Sequence, residues 1–166
     1  LPEDEVGAYW LTVVGETWEG WTMPANLIAQ SRYRDRITFV NRYVSDAEVT
    51  QCFAEADAVV LPYHRASTSG ALHIAMSCGL PVVVTSVGGL VEAVADYDGA
   101  ILVPPNNPVR LRDALLEVAK LQHIRFTDAH SWEHTASNYR ILFELLCGCS
   151  AFEDSKAQQD YTMLAD

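Results

Sequence analysis

The chain has 166 residues, 49% hydrophobic and 20% charged, with a formal net charge of −11. That length supports one domain with a substantial core and no need of disulfide or metal staples, and the apolar fraction excludes wholesale disorder. No apolar run approaches the roughly 20 residues of a spanning helix, the start LPEDEVGAYW has no basic leader region, and the acidic balance argues against independent nucleic-acid binding.

The predicted elements alternate along the chain. Residues 9–14 (YWLTVV) are β formers ended by Gly15, and residues 23–33 have helical spacing through Leu27, Ile28 and Ser31. Residues 37–40 (ITFV) form a second strand. Ser45 with Glu48 three positions later is a capping-box signature, and it opens a helix over 46–55 with Val49, Cys52 and Phe53 on one face. Residues 58–61 (AVVL) are a third strand, stopped by Pro62. The polar stretch HRASTS leads into a helix over 70–78 with Gly79 placed to end it. Residues 82–85 (VVVT) make a fourth strand, followed by Ser86-Val87-Gly88-Gly89 and a short helix over 90–95. Residues 100–103 (AILV) are the fifth strand. Asn107 as N-cap and Pro108 at the first helical position start an amphipathic helix to about 120, and a last helix spans 132–146.

The strands AVVL, VVVT and AILV are apolar throughout rather than alternating, the mark of a parallel sheet covered on both faces. The fold class read from this is α/β, a Rossmann-like, doubly wound parallel sheet over residues 1–146. Residues 147–166 lack an apolar period and read as a flexible tail.

Much of the acidity sits at the ends. Residues 1–10 carry three acids and no base, and residues 147–166 carry four acids and one base. The body keeps 15 acids against 10 bases, so an anion site inside it is compatible with the charge. Cys52, Cys78, Cys147 and Cys149 form no C-x-x-C pair, so no zinc site is expected. Cys52 and Cys78 are expected as small buried hydrophobes, and a reducing, cytoplasmic compartment follows by default. His73 is expected in or next to the core; His123, His130 and His134 share no ligand spacing and belong at the surface. Trp10, Trp18, Trp21 and Trp132 are expected to pack, and Asp96 and Asp98 to form a solvated turn.

Ligands of open parallel sheets bind beyond the carboxyl ends of the strands. Two loops lie there. In Tyr63-His64-Arg65-Ala66-Ser67-Thr68-Ser69-Gly70, a helix start offers amides to an anion. Ser67, Thr68 and Ser69 add hydroxyls, Gly70 permits close approach, and Arg65 can neutralise charge. The same residues fit an ordinary serine-capped helix with a solvated arginine. The second loop is Ser86-Val87-Gly88-Gly89, whose glycines suit either a ligand or a tight turn. Motifs for dinucleotides, the P-loop, the hydrolase elbow and zinc proteases are all absent.

The order of motifs resembles the C-terminal half-domain of family 4 (group 1) glycosyltransferases of the GT-B fold. The likeness runs through Ala56-Asp57, Leu61-Pro62, Ala75-Met76-Ser77-Cys78-Gly79-Leu80-Pro81-Val82-Val83, Thr85, Gly88-Gly89 and Glu92, and extends over roughly residues 8–146 through VVGE, ITFVNRYVSDAEV and Ser131-Trp132-Glu133. The resemblance implies the donor-binding half of a retaining enzyme of glycoconjugate or polysaccharide synthesis. Such an enzyme moves a sugar from a nucleotide-diphosphate sugar to an acceptor without metal or other cofactor. It implies that Ser69 and Gly70 receive the diphosphate with Arg65, Ser67 and Thr68 beside them, that Gly88 and Gly89 permit backbone approach, and that Arg42 and Tyr43 border the nucleoside. No side chain stands out as catalytic.

Two departures accompany the likeness. The family's paired glutamates fall on Ala66 and Ile74, while Pro62 to Gly70 is similar to a subgroup reading Pro-Tyr-Arg-x-Ala-x-x-Ser-Gly. The family's opening strand, with its Gly-Arg loop and Lys-Gly pair, has no counterpart. The chain is therefore expected to be an inactive fragment whose sheet lacks, or borrows, its first strand, partnered by an acceptor domain that carries any peripheral membrane contact. An oligomer across the incomplete sheet is a further expectation. An epimerase of the same architecture and a non-catalytic scaffold stay open as alternatives.

Overall fold

The computed structural model describes residues 6–129 and 131–147. The chain divides into two units, Leu1–Thr127 and Asp128–Asp166. The expected tail beyond Cys147, with Cys149 in it, and His130 lie outside the described residues.

The first unit alternates strand and helix: β1 (Leu11–Val14), α1 (Met23–Gln30), β2 (Ile37–Val40), α2 (Asp46–Glu55), β3 (Val59–Leu61), α3 (Gly70–Ser77), β4 (Val82–Thr85), α4 (Leu90–Ala93), β5 (Ala100–Val103) and α5 (Pro108–Val118). The second unit contains α6 (Trp132–Cys147). Every strand pair is parallel. Leu11 stands opposite Ile37, Val59 opposite Val82, and Val82 opposite Ala100.

Among the described residues the strands make two sheets, β1-β2 and β3-β4-β5.

β4 explains the architecture. All four of its residues are buried, and its alternation feeds two cores. Val82 and Val84 pack with Leu72, Ala75 and Met76 of α3 and with Leu90, Val94 and Tyr97. Val83 packs the other way, with Val103 and with Ala114 and Val118 of α5. Helices thus cover both faces of the sheet, as a doubly wound fold requires. β3 and β5, at the sheet edges, are less enclosed than their sequences suggested: Val59 and Val60 are half-buried and Leu102 is 41% exposed.

Helix ends follow local chemistry. Ser45 accepts from the Glu48 amide and Glu48 reaches back to the Ser45 amide at 2.8 Å, so the capping box is formed. Asn107 accepts from the Arg110 amide at 3.0 Å with Pro108 at the first helical position. Gly79 ends α3 at φ +69, with its amide bonded to the Met76 carbonyl and the Leu80 amide to the Ala75 carbonyl, a Schellman closure. A side chain on Gly79 would also meet the Phe126 carbonyl at 2.9 Å.

Several expectations about burial are corrected. Cys78 and His73 are exposed, because α3 turns Leu72, Ala75 and Met76 inward and leaves 73 and 78 outside. Cys52 is half-buried. All four tryptophans are exposed, Trp18 to 86%. Trp10 lies under the Arg36 guanidinium at 5.1 Å, a cation–π contact rather than core packing.

Candidate functional site

β3 and β4 are adjacent and parallel, so the segments that follow them leave the sheet along the same edge. Their meeting forms an open cleft of about 870 Å³ lined by His64, Arg65, Ala66, Ser67, Val87, Gly88 and Gly89. That volume lies within the range of small-molecule sites. Among the described residues, His64 and Arg65 are its ionisable lining residues and no carboxylate lines it.

The two glycines have a structural reason to be glycine. Gly88 has φ +49, and a side chain there would run into the Ala66 carbonyl. One on Gly89 would run into the Ser67 carbonyl. The turn after β4 is therefore pressed against the loop after β3, and the close approach the sequence predicted is chain against chain. By contrast, nothing lies within 4 Å of the position a side chain would take on Gly70.

The loop is held from beneath by a network that sequence reasoning missed. Thr85, at the end of β4, donates its hydroxyl to the Tyr63 carbonyl at 2.7 Å. The Tyr63 hydroxyl pairs with Ser69 Oγ at 3.2 Å, and Ser69 Oγ accepts from the Leu72 amide at 3.2 Å as the N-cap of α3. Ser69 is only 6% exposed. Its hydroxyl, predicted to meet a diphosphate, is turned inward and already bonded on two sides. A threonine closing an otherwise valine strand was the available signal.

Of the predicted site residues, the structure brings Arg65, Ser67, Gly88 and Gly89 to one cleft and adds His64, Ala66 and Val87. Ser69 and Gly70, at the start of α3, and the exposed Thr68 are not among its lining residues. Among the described residues the Gly70 and Ala71 amides have no hydrogen-bond partner, as expected for the first turn of a helix.

Arg42 and Tyr43 lie elsewhere, on the loop after β2. The Arg42 guanidinium grips both carboxylate oxygens of Glu48 and also donates to the Tyr43 carbonyl at 3.0 Å. The Arg42 bonds, with those from Ser45, push the Glu48 carboxyl down to about 2, and the Glu48 bonds raise Arg42 further. Tyr43 is 80% exposed. This loop is tied to the loop after β1 through Asn41, whose Oδ1 accepts from the Thr17 amide at 2.8 Å.

A family model described as "Glycosyl transferases group 1" matches residues 3–120 of this chain. The chain belongs to that family. Its relatives include the D-inositol 3-phosphate glycosyltransferase of Frankia alni, 38% identical over 78 residues, which span 47% of this chain and 19% of that protein. The enzyme of the same name from Mycolicibacterium gilvum is 30% identical over 131 residues, 73% of this chain and 29% of that protein. The chain thus spans less than a third of the length of these relatives. Among solved structures, the sucrose-phosphate synthase of Thermosynechococcus elongatus superposes with a TM-score of 0.64 at 23% identity, over 84% of this chain and 39% of that one. That likeness shows a shared fold.

Within this group 1 glycosyltransferase chain, no described helix is long and apolar enough to cross a membrane. Ala66, at one of the two expected glutamate positions, lines the cleft; Ile74, at the other, stands 39% exposed on α3.

Proposed function

We propose that this chain is the part of a retaining, metal-independent glycosyltransferase that binds the nucleotide-sugar donor, and that the β3–β4 cleft receives the diphosphate. The observation that carries the reading is the make-up of that cleft. It lies at the carboxyl ends of two parallel strands, beside the start of α3, with Arg65 and, among the described residues, no carboxylate in its wall. A dianionic diphosphate suits that combination of guanidinium, hydroxyl and free amides. Transfer to an acceptor then requires a second domain, so the chain alone binds donor without turning it over. Metal independence, a cytoplasmic setting and a place in polysaccharide or glycoconjugate synthesis belong to the same reading, which rests on the family membership.

Calorimetric titration with UDP, GDP and their hexose conjugates tests this. Saturable binding of at least one nucleotide, weakened by Arg65→Ala, is expected. Failure of all of them to bind at millimolar concentration would turn the reading to a scaffold that keeps the fold without the site.

A further inference from the structure

The cleft holds a second ionisable side chain, His64, which stands where the similar subgroup motif reads Arg and to which the donor-binding reading gives no role. His64 follows Tyr63, whose carbonyl is fixed by Thr85 and whose hydroxyl is fixed by Ser69, so the backbone that presents His64 is anchored at its preceding residue. It lines the cleft beside Arg65, and the opposing wall, Val87, Gly88 and Gly89, brings no charge of its own. The ionisable groups on the surrounding elements are Tyr63 on the same loop, His73 on α3 and Glu92 on α4, and none of the three lines the cleft.

We infer that His64 is a diphosphate-binding residue of the donor site, whose imidazolium joins Arg65 so that donor affinity rises as pH falls through the imidazole range. The inference rests on the donor-binding reading. Its chemistry is specific to a diphosphate ester. An imidazole changes charge between about pH 5 and 8, whereas the diphosphate of a nucleotide sugar has no proton to lose in that interval, so any slope in affinity comes from the protein. A free nucleoside diphosphate would confuse the two, because its terminal phosphate titrates in the same range. At an exposed site the added ion pair is modest, equivalent to about two- to fivefold in affinity.

The experiment is isothermal titration of the 166-residue chain with UDP-glucose and with GDP-mannose, at constant ionic strength, between pH 6 and 8. Wild-type chain should bind about two- to fivefold more tightly at pH 6 than at pH 8. His64→Gln should flatten the profile at the weak, high-pH level. His64→Lys should keep the tight level across the whole interval, since an ammonium keeps its charge there. His73→Gln should retain the wild-type slope, and melting curves would confirm that each variant is folded. If His64→Gln binds with an unchanged slope, the inference is overturned while donor binding stands. If the wild-type chain binds neither probe at any pH, the donor-binding reading falls and takes this inference with it.

Discussion

Ser69→Ala separates the two roles that this hydroxyl could have. In the structure Ser69 Oγ accepts from the Leu72 amide at 3.2 Å and meets the Tyr63 hydroxyl at 3.2 Å, at a position 6% exposed. Removing an N-cap oxygen costs about 1 kcal/mol. Leaving the half-buried Tyr63 hydroxyl without its protein partner costs about 1 kcal/mol more. The sum, about 2 kcal/mol, corresponds to a fall of roughly 6–10 °C in Tm for a unit of this size. Urea unfolding followed by circular dichroism should show a lower midpoint with unchanged slope. Tyr63→Phe supplies the cycle: in its background the cost of Ser69→Ala should shrink to the cap alone, about 1 kcal/mol. A change below about 0.5 kcal/mol, accompanied by loss of UDP-glucose binding, would refute the reasoning, because the hydroxyl would then serve the ligand and not α3.

Two further substitutions probe the walls and the flank of the site. Gly88→Ala places a side chain against the Ala66 carbonyl at φ +49, so it should destabilise by about 1–3 kcal/mol and displace the 63–69 loop; a thermal melt and loss of nucleotide-sugar binding together would report this. Glu48→Gln concerns acid stability. The folded Glu48 carboxyl lies at about 2, below its ordinary 4.5, so its bonds to Arg42 and Ser45 add stability that is fully present above about pH 4.5 and lost as pH falls through about 2. The difference in Tm between wild type and Glu48→Gln should therefore be largest above pH 5 and close towards pH 2; a difference that does not change with pH would contradict this assignment.

What was legible in the sequence followed local rules. The capping box at Ser45, the Asn107-Pro108 helix start and the Gly79 stop are each written in residues a few positions apart, and each formed as expected. The valines of β4 signalled burial on both faces for the same reason: every side chain of a central strand has a helix above or below it. Other features depended on partners distant in sequence. Trp10, Trp18 and Trp21 look like core residues by composition, but they sit around β1 and α1, and α1 buries none of its own residues, so little surface opposes them. Ser69 looked like a ligand donor because its reach to Tyr63 and the support from Thr85 are set by the meeting of β3 with β4. The likeness gave no sign that Arg42, placed by it beside a nucleoside, also pairs with a carboxylate six positions away.

The absence of carboxylates at 66 and 74 then acquires a physical meaning within the proposed reading. Ala66 stands in the cleft wall between Arg65 and Ser67, and its carbonyl abuts Gly88. A glutamate at that point would set a negative charge next to Arg65 and His64 and would oppose a dianionic ligand. With alanine there, the wall keeps its positive charge, while the sugar loses a strong acceptor for its hydroxyls. Recognition in this cleft therefore leans on the diphosphate more than on the hexose. UDP-glucose and UDP-galactose, which differ at one hydroxyl, should for that reason bind this chain with closely similar affinity, and discrimination between sugars would have to come from groups outside the β3–β4 cleft.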